Sequence, residues 1–208
     1  VLIKTISDVY NLVRKRELSV LDAVEVALRQ ARRGRRWHGV FHVEGLIGGR
    51  PFAQVCYNQL LNHGEQDILE AYFGGAAVPA DFKLGMLKTT YAIVETDALA
   101  TVVASELVPA EDPGYSPRKT VDRSLVAGGW PTRGLDGNGD WFITSEQVVW
   151  TATAPWTNRA GFLFLMNGGT TAPGNNTGRI TAIALLSPTR LPEAANDIIR
   201  AQYTVTLR

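Results

Sequence analysis

Apolar and polar positions alternate most plainly at the C-terminal end of the chain. Ile199, Ala201, Tyr203, Val205 and Leu207 interleave with Arg200, Gln202, Thr204 and Thr206, the period-two pattern of a strand with one wet face. Phe162–Met166 is instead a continuous apolar run, which predicts a strand covered on both faces. Ile180–Leu186 and the Val-, Ile-, Thr- and Trp-rich stretch Trp141–Ala154 predict further strands. Turn chemistry separates these runs at Asp136-Gly137-Asn138-Gly139, Gly168-Gly169, Pro173-Gly174-Asn175-Asn176 and Ser187-Pro188. Upstream, Trp37–Glu44 and Pro51–Tyr57 flank a glycine-rich segment, Gly45–Arg50, and predict a β-hairpin. A short helix is expected over Glu65–Phe73 with Ile68, Leu69 and Tyr72 facing inward. Phe82–Leu87 reads as a strand, and Thr96–Ser105 as a second short helix opened by Thr96 and Asp97. Pro109–Arg118, with three prolines, reads as an irregular loop.

The first 36 residues follow a different period. Ile6, Val9, Tyr10, Leu12 and Val13 recur at helical spacing after Ser7. Ser19 then opens a second run with Val20, Leu21, Val24, Ala27, Leu28 and Ala31 on one face. Arg29, Arg32 and Arg33 sit at its end, where cations complement the helix dipole, and Gly34 is a natural stop. Two short helices with a narrow apolar stripe form an arm that needs another surface to bury against. The expected fold is therefore mainly β, an antiparallel β-sandwich or jelly-roll-like body over residues 37–208, with a helical arm over 1–36 and one or two short helices.

Composition sharpens that division. The whole chain of 208 residues carries a formal charge of +1. Residues 1–50 nonetheless hold ten Lys/Arg against five acids, and the remainder eleven against fifteen. A basic head on an acidic body suggests two parts with different neighbours. A single cysteine, Cys56, excludes an internal disulfide framework and a cysteine-cage zinc site. No run approaches the roughly 18 apolar residues of a membrane span, and Val1-Leu2-Ile3-Lys4 shows no signal-peptide pattern.

Candidate chemistry is sparse. On a strand, His38 and His42 share a face about 13 Å apart at roughly 3.3 Å per residue, too far for one metal. His63 reads as a capping or turn residue, and Cys56 as a small core hydrophobe without a nucleophile motif. No phosphate loop, nucleophile elbow or metalloprotease motif occurs, so the expectation is no enzyme, no catalytic residues and no cofactor. Asp136, Asn138 and Asp140 alternate as at the start of a calcium loop, but Trp141 and Gln147 stand where glycine and glutamate are needed, and a hairpin turn explains the same residues. Arg29, Arg32, Arg33, Arg35 and Arg36 form a basic cluster. No nucleic-acid module surrounds it, and a solvated helix end or docking on an acidic protein neighbour is the favoured reading. Four of the five tryptophans fall between residues 130 and 156. Trp130 and Trp156 are candidates for stacking on sugar rings, whereas Trp150 alternates with Val148 and Ala152 as a core residue does.

Several segments taken together resemble a family of tailed-bacteriophage virion proteins. These are Asn58-Gln59-Leu60-Leu61-Asn62-His63-Gly64-Glu65-Gln66-Asp67-Ile68-Leu69, Tyr72-Phe73-Gly74-Gly75, and Val78-Pro79-Ala80-Asp81-Phe82-Lys83-Leu84-Gly85-Met86-Leu87. Arg123-Ser124, Val148–Ala154, Leu186-Ser187-Pro188-Thr189-Arg190-Leu191 and Tyr203-Thr204-Val205-Thr206-Leu207 extend the likeness over about 170 residues. Where the family reads Gly-Leu, this chain has Gly85-Met86-Leu87, and residues 1–36 have no counterpart. The resemblance implies a structural component of a virion, in the head as decoration or in the tail and its fibres. Such a component assembles in the host cytoplasm and contacts other virion proteins and copies of itself as a homo-oligomer; the lack of an apolar span argues against a membrane partner, and nucleic acid is disfavoured. The alternative expectation is a carbohydrate-binding adhesion module.

Overall fold

The computed structural model describes residues 37–207. Within the described residues, His38–Thr206 form one compact unit. The helical arm expected over 1–36, with its five arginines, lies outside the described residues.

The body is mainly antiparallel β. Its elements run β1 (Trp37–Ile47), β2 (Arg50–Leu60), α1 (Asn62–Phe73), β3 (Asp81–Lys88), α2 (Leu99–Val103), β4 (Lys119–Asp122), β5 (Thr132–Leu135), β6 (Trp141–Thr144), β7 (Val148–Thr151), β8 (Ala160–Asn167), β9 (Arg179–Arg190) and β10 (Ile198–Leu207). The strands form one curled sheet in the order β4-β3-β8-β9-β2-β1-β10-β6-β5, with β7 also paired to β10. β2 is the joint of this sheet. From Arg50 to Tyr57 it pairs with β1, whereas Asn58, Gln59 and Leu60 pair with Ala184, Ile183 and Ala182 of β9.

The curl encloses one large core. Phe41 and Val43 from β1, Leu84 and Met86 from β3, Trp150 from β7, Leu163 and Leu165 from β8, and Ile199, Ala201 and Tyr203 from β10 all meet in it. Each large side chain hidden this way contributes about 1.5–3 kcal/mol relative to exposure. A second core lies on the other face of β8 and β9. There Phe162, Phe164, Met166, Ile180 and Ile183 pack against Leu99, Val102 and Val103 of α2 and against Tyr91. Successive residues of β8 thus alternate between two cores, which is why Phe162–Met166 contains no polar residue and every residue of β8 is buried.

Other expectations are adjusted in detail. The β1–β2 turn is only Gly48-Gly49, with φ of 56° and 73° and Ile47 paired to Arg50, the left-handed pair that a tight hairpin turn requires. Gly45 belongs to β1 and is buried, because its backbone lies against the Ile198 carbonyl. Trp141–Ala154 is two strands, broken at Ser145, whose N–H donates to the Tyr203 carbonyl and whose hydroxyl accepts from Tyr203 N–H. Ser187-Pro188 does not end β9; it sits in an irregular stretch between the pairs Phe162–Leu185 and Ala160–Arg190.

The helices differ more. α1 packs on β9, and a Cβ at Gly64 would fall 2.4 Å from the Thr181 carbonyl oxygen. Leu69, expected to face inward, is 57% exposed, and Ile68 is half-buried. α2 is shorter than Thr96–Ser105 and is not capped by Asp97, whose carboxylate instead accepts from the Tyr91 hydroxyl at 2.7 Å.

Candidate functional site

α1 and α2 cover only part of the outer sheet face. Along β9, Ala182, Ala184 and Leu186 enter the main core and Ile183 the second one, but Leu185 emerges 51% exposed. The next strands continue this uncovered face. Val55 and Tyr57 of β2 are 53% and 77% exposed, and they pair with His42 and Val40 of β1. Because Asn58 pairs with Ala184, Tyr57 and Leu185 occupy the adjoining register position. Strand alternation compels this: with Phe41, Val43 and Cys56 in the core, His42, Val55 and Tyr57 must face outward. Hydrophobic residues clustered on an uncovered face mark an interaction surface more strongly than scattered ones do.

The residues singled out from sequence fall elsewhere. Trp130 and Trp156 are only 6% and 5% exposed, so they do not offer a face for a sugar to stack on. Trp130 packs edge-on against Phe82 and Tyr203, and Trp156 donates its Nε1–H to the Pro113 carbonyl at 2.9 Å. Trp141, by contrast, is 62% exposed. Asp136, Asn138 and Asp140 form the β5–β6 turn, where Asp136 Oδ1 accepts backbone N–H bonds from Asn138 and Asp140, so the turn accounts for this carboxylate oxygen. No group of three or more His, Cys, Asp or Glu arranged to hold a metal occurs among the described residues. His38 and His42 are exposed on β1, and His63 lies in the first turn of α1. Cys56 is buried, and burial pushes its thiol pKa up, away from the reactive thiolate. No helix among the described residues is long and apolar enough to cross a membrane.

Two polar constellations escape a reading by motif. The first is internal. Glu106 and Arg118 are fully buried, and Glu106 also accepts from the Tyr115 hydroxyl at 2.7 Å and from Gly174 N–H at 2.7 Å. Arg118 donates onward to the Thr170 and Asn175 carbonyls. The only hint in the sequence is a charged residue, Glu106, inside the apolar stretch from Leu99 to Val108. The second joins α1 to the sheet beside a cavity of about 400 Å³. Arg179 binds Asp67 at 2.7 Å and Gln66 at 2.7 Å. Asn167 bridges Asp67 and Arg123, and Arg123 lies over the Phe82 ring at 4.4 Å. Donors and acceptors in both sets satisfy one another, which suits holding loops in place. No protein-family model matches the chain, and no curated protein matches it.

Proposed function

We propose that this chain is a structural subunit of a tailed-phage virion, docking on neighbouring subunits of the head or tail. The observation that carries the proposal is the uncovered apolar face of Val55, Tyr57 and Leu185 on a rigidly packed β-body. Its occupant in this reading is the N-terminal arm of a second copy, whose apolar stripe from Val20 to Ala31 needs such a surface. The arginines at 29, 32, 33, 35 and 36 then anchor the arm on acidic neighbours. The resemblance of residues 58–87 and 186–207 to virion proteins supports the same reading. We further read the curled sheet as a jelly-roll-like sandwich, supported by one core shared between its two halves and by the approach of β4 to β7. The sugar-binding alternative loses Trp130 and Trp156, on which it rested.

Light scattering of the full chain tests the docking. Self-association is expected, and Tyr57→Asp on the sheet face and Leu28→Asp in the arm are each expected to abolish it while circular dichroism stays unchanged. A monomeric wild-type chain, or oligomers indifferent to both substitutions, overturns the arm-exchange reading.

A further inference from the structure

Three arginines gather at a cavity of about 440 Å³ beside the β1–β2 turn, whose lining includes none of Val55, Tyr57 and Leu185. Arg50 comes from the start of β2, Arg159 from the residue before β8 and Arg190 from the end of β9; Phe52, Leu191 and Glu193 complete the lining. The topology forces the meeting, since Ala160 pairs with Arg190 and thereby sets Arg159 beside it. Like charges brought together repel, and with Glu193 as the one carboxylate among three arginines the lining stays net positive, which favours an anion sharing it.

Their partners are unevenly filled. Arg50 and Arg159 are exposed, and among the described residues neither side chain makes an ion pair or a hydrogen bond. Arg190 is held differently. Its guanidinium lies 4.0 Å over the Phe52 ring, and its Nε–H donates to Gln54 Oε1 at 2.8 Å, joined there by Nη2. Gln54 in turn donates to the Cys56 sulfur. That clamp fixes the guanidinium plane and leaves three N–H donors of Arg190 without a partner among the described residues. Burial lowers the Arg190 pKa from its ordinary value, a desolvation that a bound anion offsets. Glu193 borders the same cavity without pairing to any of the three arginines.

We propose that this cavity binds a carboxylate-bearing polyhydroxy ligand of the uronic-acid type. The clamped Arg190 fork matches a carboxylate in a two-point contact, with Arg50 and Arg159 adding charge. Glu193 accepts hydrogen bonds from ligand hydroxyls and disfavours a doubly charged phosphate. The volume is that of a small-ligand site.

Calorimetric titration of the full chain with glucuronate, glucose and inorganic phosphate tests the proposal. Glucuronate is expected to bind with a dissociation constant on the order of 1 mM or tighter, weakening as salt is raised, with glucose silent and phosphate weaker than glucuronate. Arg159→Ala, an exposed change that leaves the core untouched, is expected to weaken glucuronate binding about tenfold or more. Arg50→Ala provides a second such change. Phosphate binding as tight as glucuronate, glucuronate binding indifferent to both substitutions, or no binding of any probe overturns the assignment. None of these outcomes depends on self-association, so the docking proposal stands or falls separately.

Discussion

Arg118 meets Glu106 through two parallel bonds, Nε to Oε1 at 2.8 Å and Nη2 to Oε2 at 2.6 Å, with both side chains fully buried. The pair ties the loop before β4 to the loop between β8 and β9, because Glu106 also accepts from Gly174 and Arg118 donates to Asn175. Breaking one partner leaves a buried charge without its counterion. Glu106→Ala is expected to cost about 3–5 kcal/mol, read as a lowered urea midpoint at unchanged slope. The double change Glu106→Leu with Arg118→Leu is expected to cost less than the sum of the two single changes. Strict additivity would mean that the pair is not energetically coupled.

Trp150 is fully buried, stacks on Tyr115 with ring planes 14° apart, and has an indole N–H without a hydrogen-bond partner among the described residues. Its value to the core is therefore in area and shape. Trp150→Phe removes the orphaned donor and is expected to cost about 1 kcal/mol or less, whereas Trp150→Ala is expected to cost about 3–5 kcal/mol. Thermal unfolding of the two variants distinguishes them; equal losses would show that the N–H has a partner after all.

The two ends of the glycine-rich segment predict opposite tolerance. A Cβ on Gly45 would stand 1.9 Å from the Ile198 carbonyl oxygen, a backbone atom that cannot rotate away. Gly45→Ala is expected to destabilise by about 1–3 kcal/mol or more through overpacking. Gly49 has φ of +73° and open space around it, a conformation that asparagine tolerates, so Gly49→Asn is expected to cost under about 1 kcal/mol. Chemical denaturation of both variants gives the comparison, and similar losses would contradict it.

Alkaline pH is expected to unfold the body through its tyrosines. Burial raises the pKa of Tyr115, Tyr203 and Tyr91, with the Glu106 charge adding to the effect at Tyr115 and the Asp97 carboxylate at Tyr91. The folded state therefore holds these phenolic protons above the pH at which the unfolded chain releases them. Their contribution is complete below the ordinary tyrosine pKa of about 10 and is lost as pH rises above it. The urea midpoint is expected to fall above about pH 10, with tyrosinate absorbance from these rings appearing together with unfolding. A midpoint flat through that range would refute the assignment.

Much of the β-body was legible before the structure. The alternation in β10 and the unbroken apolar run of β8 state how many faces each strand buries, because side-chain direction on a strand depends only on local parity. The tight turn at Gly48-Gly49 and the β5–β6 turn at Asp136 are likewise local, set by backbone sterics and by a carboxylate reaching two residues along. Leu69 faces solvent although its helical spacing predicts burial, because spacing shows that a stripe exists, not whether a neighbour covers it. Aromatic type does not reveal the burial of Trp130 and Trp156; their partners Phe82, Tyr203 and Pro113 are distant in sequence.

The candidate sites belong almost wholly to the second kind of information. Nothing near Arg50, Arg159 or Arg190 marks them as neighbours, and no motif links Tyr57 to Leu185. β2 bends from β1 onto β9 and carries Tyr57 and Leu185 into register, while β8 and β9 bring Arg159 to Arg190. Local parity and turn chemistry are properties of adjacent residues and can be read along the chain. Pairing between strands far apart in the chain depends on which burial satisfies the whole core at once, and that choice places the exposed apolar face and the arginine cavity.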